Sequence, residues 1–208
     1  MGQVSPESIY SVHPSVPYAQ AILRKLPEKT GRSMEEWTAL LDREGPAGAK
    51  ERRDWLKSEH GLGGTTAWMV AEASVGEGRD GADPDADLEA APRYVETMYE
   101  GKESLRPIYE ALLELGRSLG SDVKVCPCKT IVPLYRSHVF AQIKPTTKTR
   151  VDLGLALKGV ERELSERLID TGGLAKKDRI THRFALTSVD EVDDEVRDWL
   201  EVAYVLDG

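Results

Sequence analysis

The chain has 208 residues, 40% of them hydrophobic and 31% charged, with a formal net charge of -8 and a pI near 5.2. That length suits one large domain or two small ones, and the acidic balance argues against wholesale binding to nucleic acid or to an anionic membrane. No basic-then-apolar leader opens the chain, and no apolar run approaches the roughly 20 residues of a membrane span; a cytoplasmic protein without membrane attachment is expected.

Residues 1–16 are polar, contain Pro6 and Pro14, and read as an irregular arm. A helix is predicted from Pro17, with Ala19, Ile22, Leu23 and Leu26 on one face and an end near Pro27. Ser33-Met34-Glu35-Glu36 is a capping box, with Ser as N-cap and Glu three residues on. It opens a second helix that turns Trp37, Leu40 and Leu41 inward and stops at Gly45. A third helix, over about residues 47–60, buries Trp55 and Leu56. The Gly61-Leu62-Gly63-Gly64 break then leads to a fourth, carrying Trp68, Met69 and Val70. These four helices predict a small helical domain over residues 17–75. Residues 76–91 begin Gly-Glu-Gly-Arg-Asp-Gly and read as an acidic Gly/Asp-rich linker.

The rest, residues 92–208, reads as an α+β domain. A short helix at Pro92–Glu100 precedes a longer one, about residues 103–119, striped with Leu105, Ile108, Leu112, Leu115 and Leu119. Residues 124–157 then look like consecutive strands. His138–Lys144 and Arg150–Leu157 alternate best, putting Val139, Ala141, Ile143, Val151, Leu153 and Leu155 on one face. A helix over Val160–Ile169, a strand over Arg179–Thr187 and a final helix rich in acids at its start complete the order. Adjacent short strands flanked by helices predict an antiparallel sheet covered by helices, hence class α+β.

Two stretches carry family resemblances. The segments TGRSMEEWTALLDREG and RRDWLKSEHGLGG resemble domain of unknown function 4287, although members often continue Gly-Leu with His-Gly where this chain has Gly63-Gly64. From about Tyr94 to Tyr204, the segments KTIVPLYRSHVFAQIKPTTKTRVDLGLAL, RLIDTGG and THRFALTSVDEVDDEVRDWLEVAY resemble domain of unknown function 5655. Neither resemblance implies a reaction or catalytic residues. Relatives of the second have looked like companions of nuclease domains, an associational pointer to nucleic acid.

Charge is segregated along the chain. Residues 122–183 hold 13 Lys and Arg against 7 Asp and Glu, whereas residues 1–121 hold 14 against 21 and residues 184–208 hold 1 against 8. On the strand registers above, Arg136, His138, Lys144 and Arg150 share the polar side of the sheet with Phe140, and Lys129, Lys148 and Arg183 can join from strand ends. Cations around an aromatic plate are the chemistry of phosphate contact and base stacking. The competing reading pairs these cations with the acidic final helix and packs Phe140 under a helix. A second, lesser anion site is the Gly61–Ala67 turn, whose following helix start offers free N–H groups, though any helix–turn–helix corner can look the same.

No metal or cofactor is expected. Cys126 and Cys128 lie one residue apart with no paired histidine motif, and no nucleophile elbow, P-loop or dinucleotide fingerprint is present. The sequence therefore points to a non-catalytic binding module for an anionic ligand such as nucleic acid, with no catalytic residues. Its ligand-binding residues are expected to be Lys129, Arg136, His138, Phe140, Lys144, Lys148, Arg150 and Arg183. The alternatives are a small-molecule enzyme using His138 or His182 with Tyr135, Asp152 or a cysteine, and a scaffold for protein partners.

Overall fold

The computed structural model describes residues 9–208, so the first half of the expected arm lies outside the described residues. Residues 12–90 gather into one compact unit, and residues 9–11 with 91–208 into another. Among the described residues no helix is long and apolar enough to cross a membrane.

The first unit is built from α1 (Ser15–Arg24), α2 (Leu26–Thr30), α3 (Met34–Glu44), α4 (Ala49–His60) and α5 (Gly64–Ser74). Pro27 occupies the first turn of α2, where its missing N–H costs nothing, and Gly31 ends that helix at φ 75°, a left-handed conformation natural to glycine. The capping box closes as its spacing predicts: Glu36 N–H donates to Ser33 Oγ at 3.3 Å, and Ser33 N–H to Glu36 Oε2 at 2.7 Å. Trp37, Leu40, Leu41, Leu56 and Val70 meet in the core of this unit. Trp37 satisfies its indole N–H on Thr30 Oγ1 at 2.9 Å.

Half of the expected linker is helical. Gly78 and a 3-10 turn at Arg79–Gly81 are followed at once by α6 (Pro84–Tyr99). Asp83 accepts from the N–H of Asp85 at 3.0 Å, and Pro84 with Asp85 supplies the proline and negative charge that a helix start favours. The composition that suggested a flexible tether is here the chemistry of a helix N-terminus.

The second unit is α+β. The remainder of α6 and α7 (Arg106–Ser118) precede β1 (Lys124–Val125), β2 (Val132–Tyr135), β3 (Val139–Lys144) and β4 (Val151–Leu155). After β5 (Ile169–Asp170) and the short α8 (Gly173–Lys176) come β6 (His182–Leu186) and α9 (Asp194–Leu206). The six strands form one antiparallel sheet in the order β1-β2-β3-β4-β6-β5. Ala141, Ile143, Leu153, Leu155 and Phe184 share one face and bury against the apolar stripes of α7 and α9, among them Ile108, Leu112, Val196 and Trp199. The approach is close enough that a Cβ on Gly116 of α7 would sit 2.5 Å from Leu134 Cδ1.

The helix expected over Val160–Ile169 does not form. Its Val-x3-Leu-x3-Leu spacing suggests a buried stripe, yet Leu164 is 41% exposed and the segment runs as an irregular loop into β5. Charged contacts to α9 override the local propensity. Arg167 reaches Asp193 Oδ2 at 2.7 Å, Glu195 Oε2 at 2.6 Å and the Glu191 carbonyl at 3.0 Å, while Ser165 Oγ bonds Glu195 and Arg162 stacks 3.7 Å over the Trp199 ring.

Candidate anion-binding site

The face of the sheet turned away from α7 and α9 carries the charge that the sequence predicted, but that charge is largely answered. Cross-strand pairing lines up Lys144, Asp152 and Ala185 in one row and Gln142, Gly154 and Arg183 in the next. Asp152 is the centre of this face. Arg183 Nη1 donates to its Oδ1 at 3.0 Å, Thr146 Oγ1 to its Oδ2 at 2.8 Å, and Arg150 Nε lies 2.9 Å from Oδ1. Gly154 is covered by neighbouring side chains: a Cβ there would lie 2.6 Å from Ile180 Cγ2 and 2.9 Å from Gln142 Cγ.

Phe140 is not on this face. The register slips between Leu134 and Tyr135, which pair with Ala141 and Val139, so Phe140 is the extra residue of a bulge. A bulge re-aims the side chain it carries. Phe140 is fully buried, edge-on to Tyr204 of α9 with ring centroids 5.6 Å apart. The aromatic plate expected from strict alternation is a core residue.

Arg136 and His138 belong to the end of the sheet near α9. Arg136 Nε donates to Asp122 Oδ2 at 2.8 Å and its guanidinium lies 4.4 Å over the Tyr204 ring. The hydrogen bond from Tyr204 OH and the contact with Arg136 hold the Asp122 carboxyl below the usual range. His138 N–H donates to Asp207 Oδ2 at 2.7 Å, and Arg179 Nη2 to Oδ1 of the same carboxylate at 2.6 Å. Lys129, Lys144 and Lys148 are exposed and make no ion pair among the described residues. The eight residues therefore split into two ion-paired clusters, three scattered lysines and one core phenylalanine. His182, a candidate for catalysis, is buried with Nδ1 2.9 Å from Thr181 Oγ1. Among the described residues no three His, Cys, Asp or Glu side chains are gathered as a metal would need.

The first unit holds a different arrangement. A cleft of about 810 Å³ opens between α1, the α2–α3 turn and the α4–α5 turn. Lys29 and Arg32 stand on one wall, flanking Gly31. Arg32 lies 4.9 Å over the Trp37 ring, whose other surroundings include the edge of His60 at 5.2 Å. The opposite wall is the start of α5. Gly61, at φ 68°, ends α4 in the left-handed conformation, and the chain turns through Leu62 and Gly63 into the new helix. No side chain caps α5, and its first helical bond is Ala67 N–H to Gly63 O at 2.9 Å. The N–H groups of Gly64, Thr65 and Thr66 thus have no carbonyl partner in the helix. A Cβ on Gly63 or Gly64 would meet nothing within 4 Å, and both residues line the cleft, so the turn into α5 is open on that side.

His60 Nε2, also in the cleft wall, has no solvent exposure and no hydrogen-bond partner among the described residues. The ring packs edge-on against Trp37 and Trp55, so His60 shapes the wall of the cleft and does not present that nitrogen to it. Lys29 and Arg32 form no ion pair among the described residues, and no Asp or Glu lines the cleft. Two cationic side chains and the positive end of a helix therefore converge on one space.

Residues 95–207, more than half of the chain, match the family described as domain of unknown function DUF5655. The chain belongs to that family. Residues 18–73 match a second description, domain of unknown function DUF4287. No curated protein and no solved structure matches the chain. All eight residues first assigned to the anion site lie in the DUF5655 region, whereas every residue lining the cleft lies within the DUF4287 match. The sequence signalled the Gly-rich half of the cleft. It gave less notice of the other half, since Lys29-Thr30-Gly31-Arg32 reads as an ordinary helix end until folding sets it opposite α5.

Proposed function

We propose that this DUF5655 protein is a binding module for an oxyanion-bearing ligand, held in the cleft of its DUF4287-like unit. The observation that carries the reading is the convergence of Lys29, Arg32 and the uncapped start of α5 on a cavity that no carboxylate lines among the described residues. Phosphate and carboxylate groups are stabilised by N–H groups and positive charge at such a helix start, and charge-assisted hydrogen bonds are the strong ones. The sheet face supports the reading less well, because Asp152 already occupies Arg150 and Arg183.

Titration with inorganic phosphate at low ionic strength, followed by Trp fluorescence and calorimetry, tests this. Saturable binding that weakens with salt is expected, and Lys29→Ala with Arg32→Ala should weaken it about tenfold or more. Gly64→Pro removes one helix-start N–H at a position proline tolerates, since Gly63 already has extended backbone at φ -61° and ψ 147°. It should weaken binding while leaving the fold intact. A single-stranded oligonucleotide titrated in parallel tests the phosphodiester form of the same chemistry. Absence of saturable binding at low salt, or its loss on Arg150→Ala with Arg183→Ala instead, would overturn the proposal.

A further inference from the structure

A second cavity, of about 600 Å³, lies beside the first in the same unit, and the two share Tyr18, Ile22 and Thr65 in their walls. Its character is different. Ala19, Leu23, Met34, Trp68, Met69 and Ala73 supply an apolar lining from α1, α3 and α5. The volume falls in the range of small-molecule sites. Trp68 is 38% exposed and Tyr18 66% exposed, large apolar surface that a folded chain has reason to cover. Tyr18, Ile22 and Thr65 border both cavities, so a ligand that spans the two would run along these three residues from a cationic space to an apolar one.

We infer that the ligand is an amphipathic anion: a phosphate or carboxylate head held by Lys29, Arg32 and the start of α5, carrying an unbranched apolar tail that lies along the Tyr18–Ile22–Trp68 groove. This rests on the anion reading above and adds the tail. Charge complementarity fixes the polarity of the ligand: Lys29 and Arg32 line the first cavity with no carboxylate in its wall, whereas the charged residues at the second are Glu72, Glu77 and an Arg79 already paired with Asp83. The wall that the two cavities share, Tyr18, Ile22 and Thr65, commits the groove to the tail of that same molecule. Thr65 is the pivot: its backbone N–H belongs to the helix start, and its side chain lines the groove.

The experiment compares inorganic phosphate, octyl phosphate and octanoate below their micellar concentrations, and neutral octanol, against the full chain. Octyl phosphate or octanoate should bind at least a hundredfold more tightly than inorganic phosphate, since each methylene removed from water strengthens binding by up to about fourfold. The preferred head shows which oxyanion the cleft takes. Ala73→Trp, at an exposed groove position, should abolish that surplus and leave phosphate binding unchanged. If octyl phosphate and phosphate bind alike, the tail inference falls and the anion reading stands. If neither binds, the anion reading itself falls. If octanol matches octyl phosphate and Gly64→Pro affects neither, the groove is an apolar surface unconnected with the head site and the inference is overturned.

Discussion

The outer face of the sheet and the cleft of the helical unit both present basic residues, and they differ in what those residues already hold. On the sheet, Arg183 from the neighbouring strand and Arg150, two residues before Asp152 on its own, flank that carboxylate and supply the counter-charge it needs when half-buried. In the cleft, Lys29 and Arg32 have no carboxylate partner among the described residues, and the helix opposite them is uncapped. A surplus of Lys and Arg over a stretch of sequence is therefore a poor guide to a binding site. What matters is donors whose partners are missing once the chain has folded.

The sharpest way to break this contrast is at Phe140. If it is a core residue, Phe140→Ala removes a fully buried ring and should cost about 3–5 kcal/mol in chemical denaturation, with phosphate affinity unchanged in whatever fraction remains folded. A change in affinity with little loss of stability would return Phe140 to the binding face. Next in size is Asp152→Asn. It leaves Arg150 and Arg183 without their anion, and should destabilise the sheet by about 1–3 kcal/mol while creating on that face a salt-sensitive phosphate affinity that the parent lacks. The same titration then reads a sheet that has been made to resemble the cleft.

Much of the fold was legible because it rests on local rules. The capping box at Ser33, the alternation of Val151, Leu153 and Leu155, and the stripe of Ile108, Leu112 and Leu115 each express a period or a cap that short sequence windows contain. The errors arose where a distant partner decided the outcome. Phe140 left its expected face because of one extra residue in a bulge, which alternation cannot register. The segment 160–168 gave up a helix for bonds to residues of α9 that lie about thirty positions on. For the candidate site, the Gly-rich turn was readable, but the placement of Lys29 and Arg32 opposite it depends on how α2, α4 and α5 pack.

That same Arg167 cluster gives the smallest predicted effect and the clearest contrast with Arg32. The Glu195 carboxyl is held below its usual range by hydrogen bonds from Ser165 and Arg167. Burial acts to raise the Asp193 carboxyl, but the Val196 N–H and Arg167 outweigh it and leave it low. Carboxylates with depressed folded values stabilise the native state fully above the unfolded value of about 4, and this contribution fades as pH falls through the folded values. Arg167→Met should thus cost about 1 kcal/mol or less near neutral pH, a modest figure because these side chains are a third or more exposed. The gap between parent and variant should close below pH 4 in a series of thermal melts. Arg32→Ala should show no such closure, because Arg32 makes no ion pair among the described residues: its effect on stability should stay level with pH, and its effect on binding appears when an anion is added. A gap at Arg32 that also closed in acid would place a carboxylate partner beside it, and the distinction between the two basic regions would be lost.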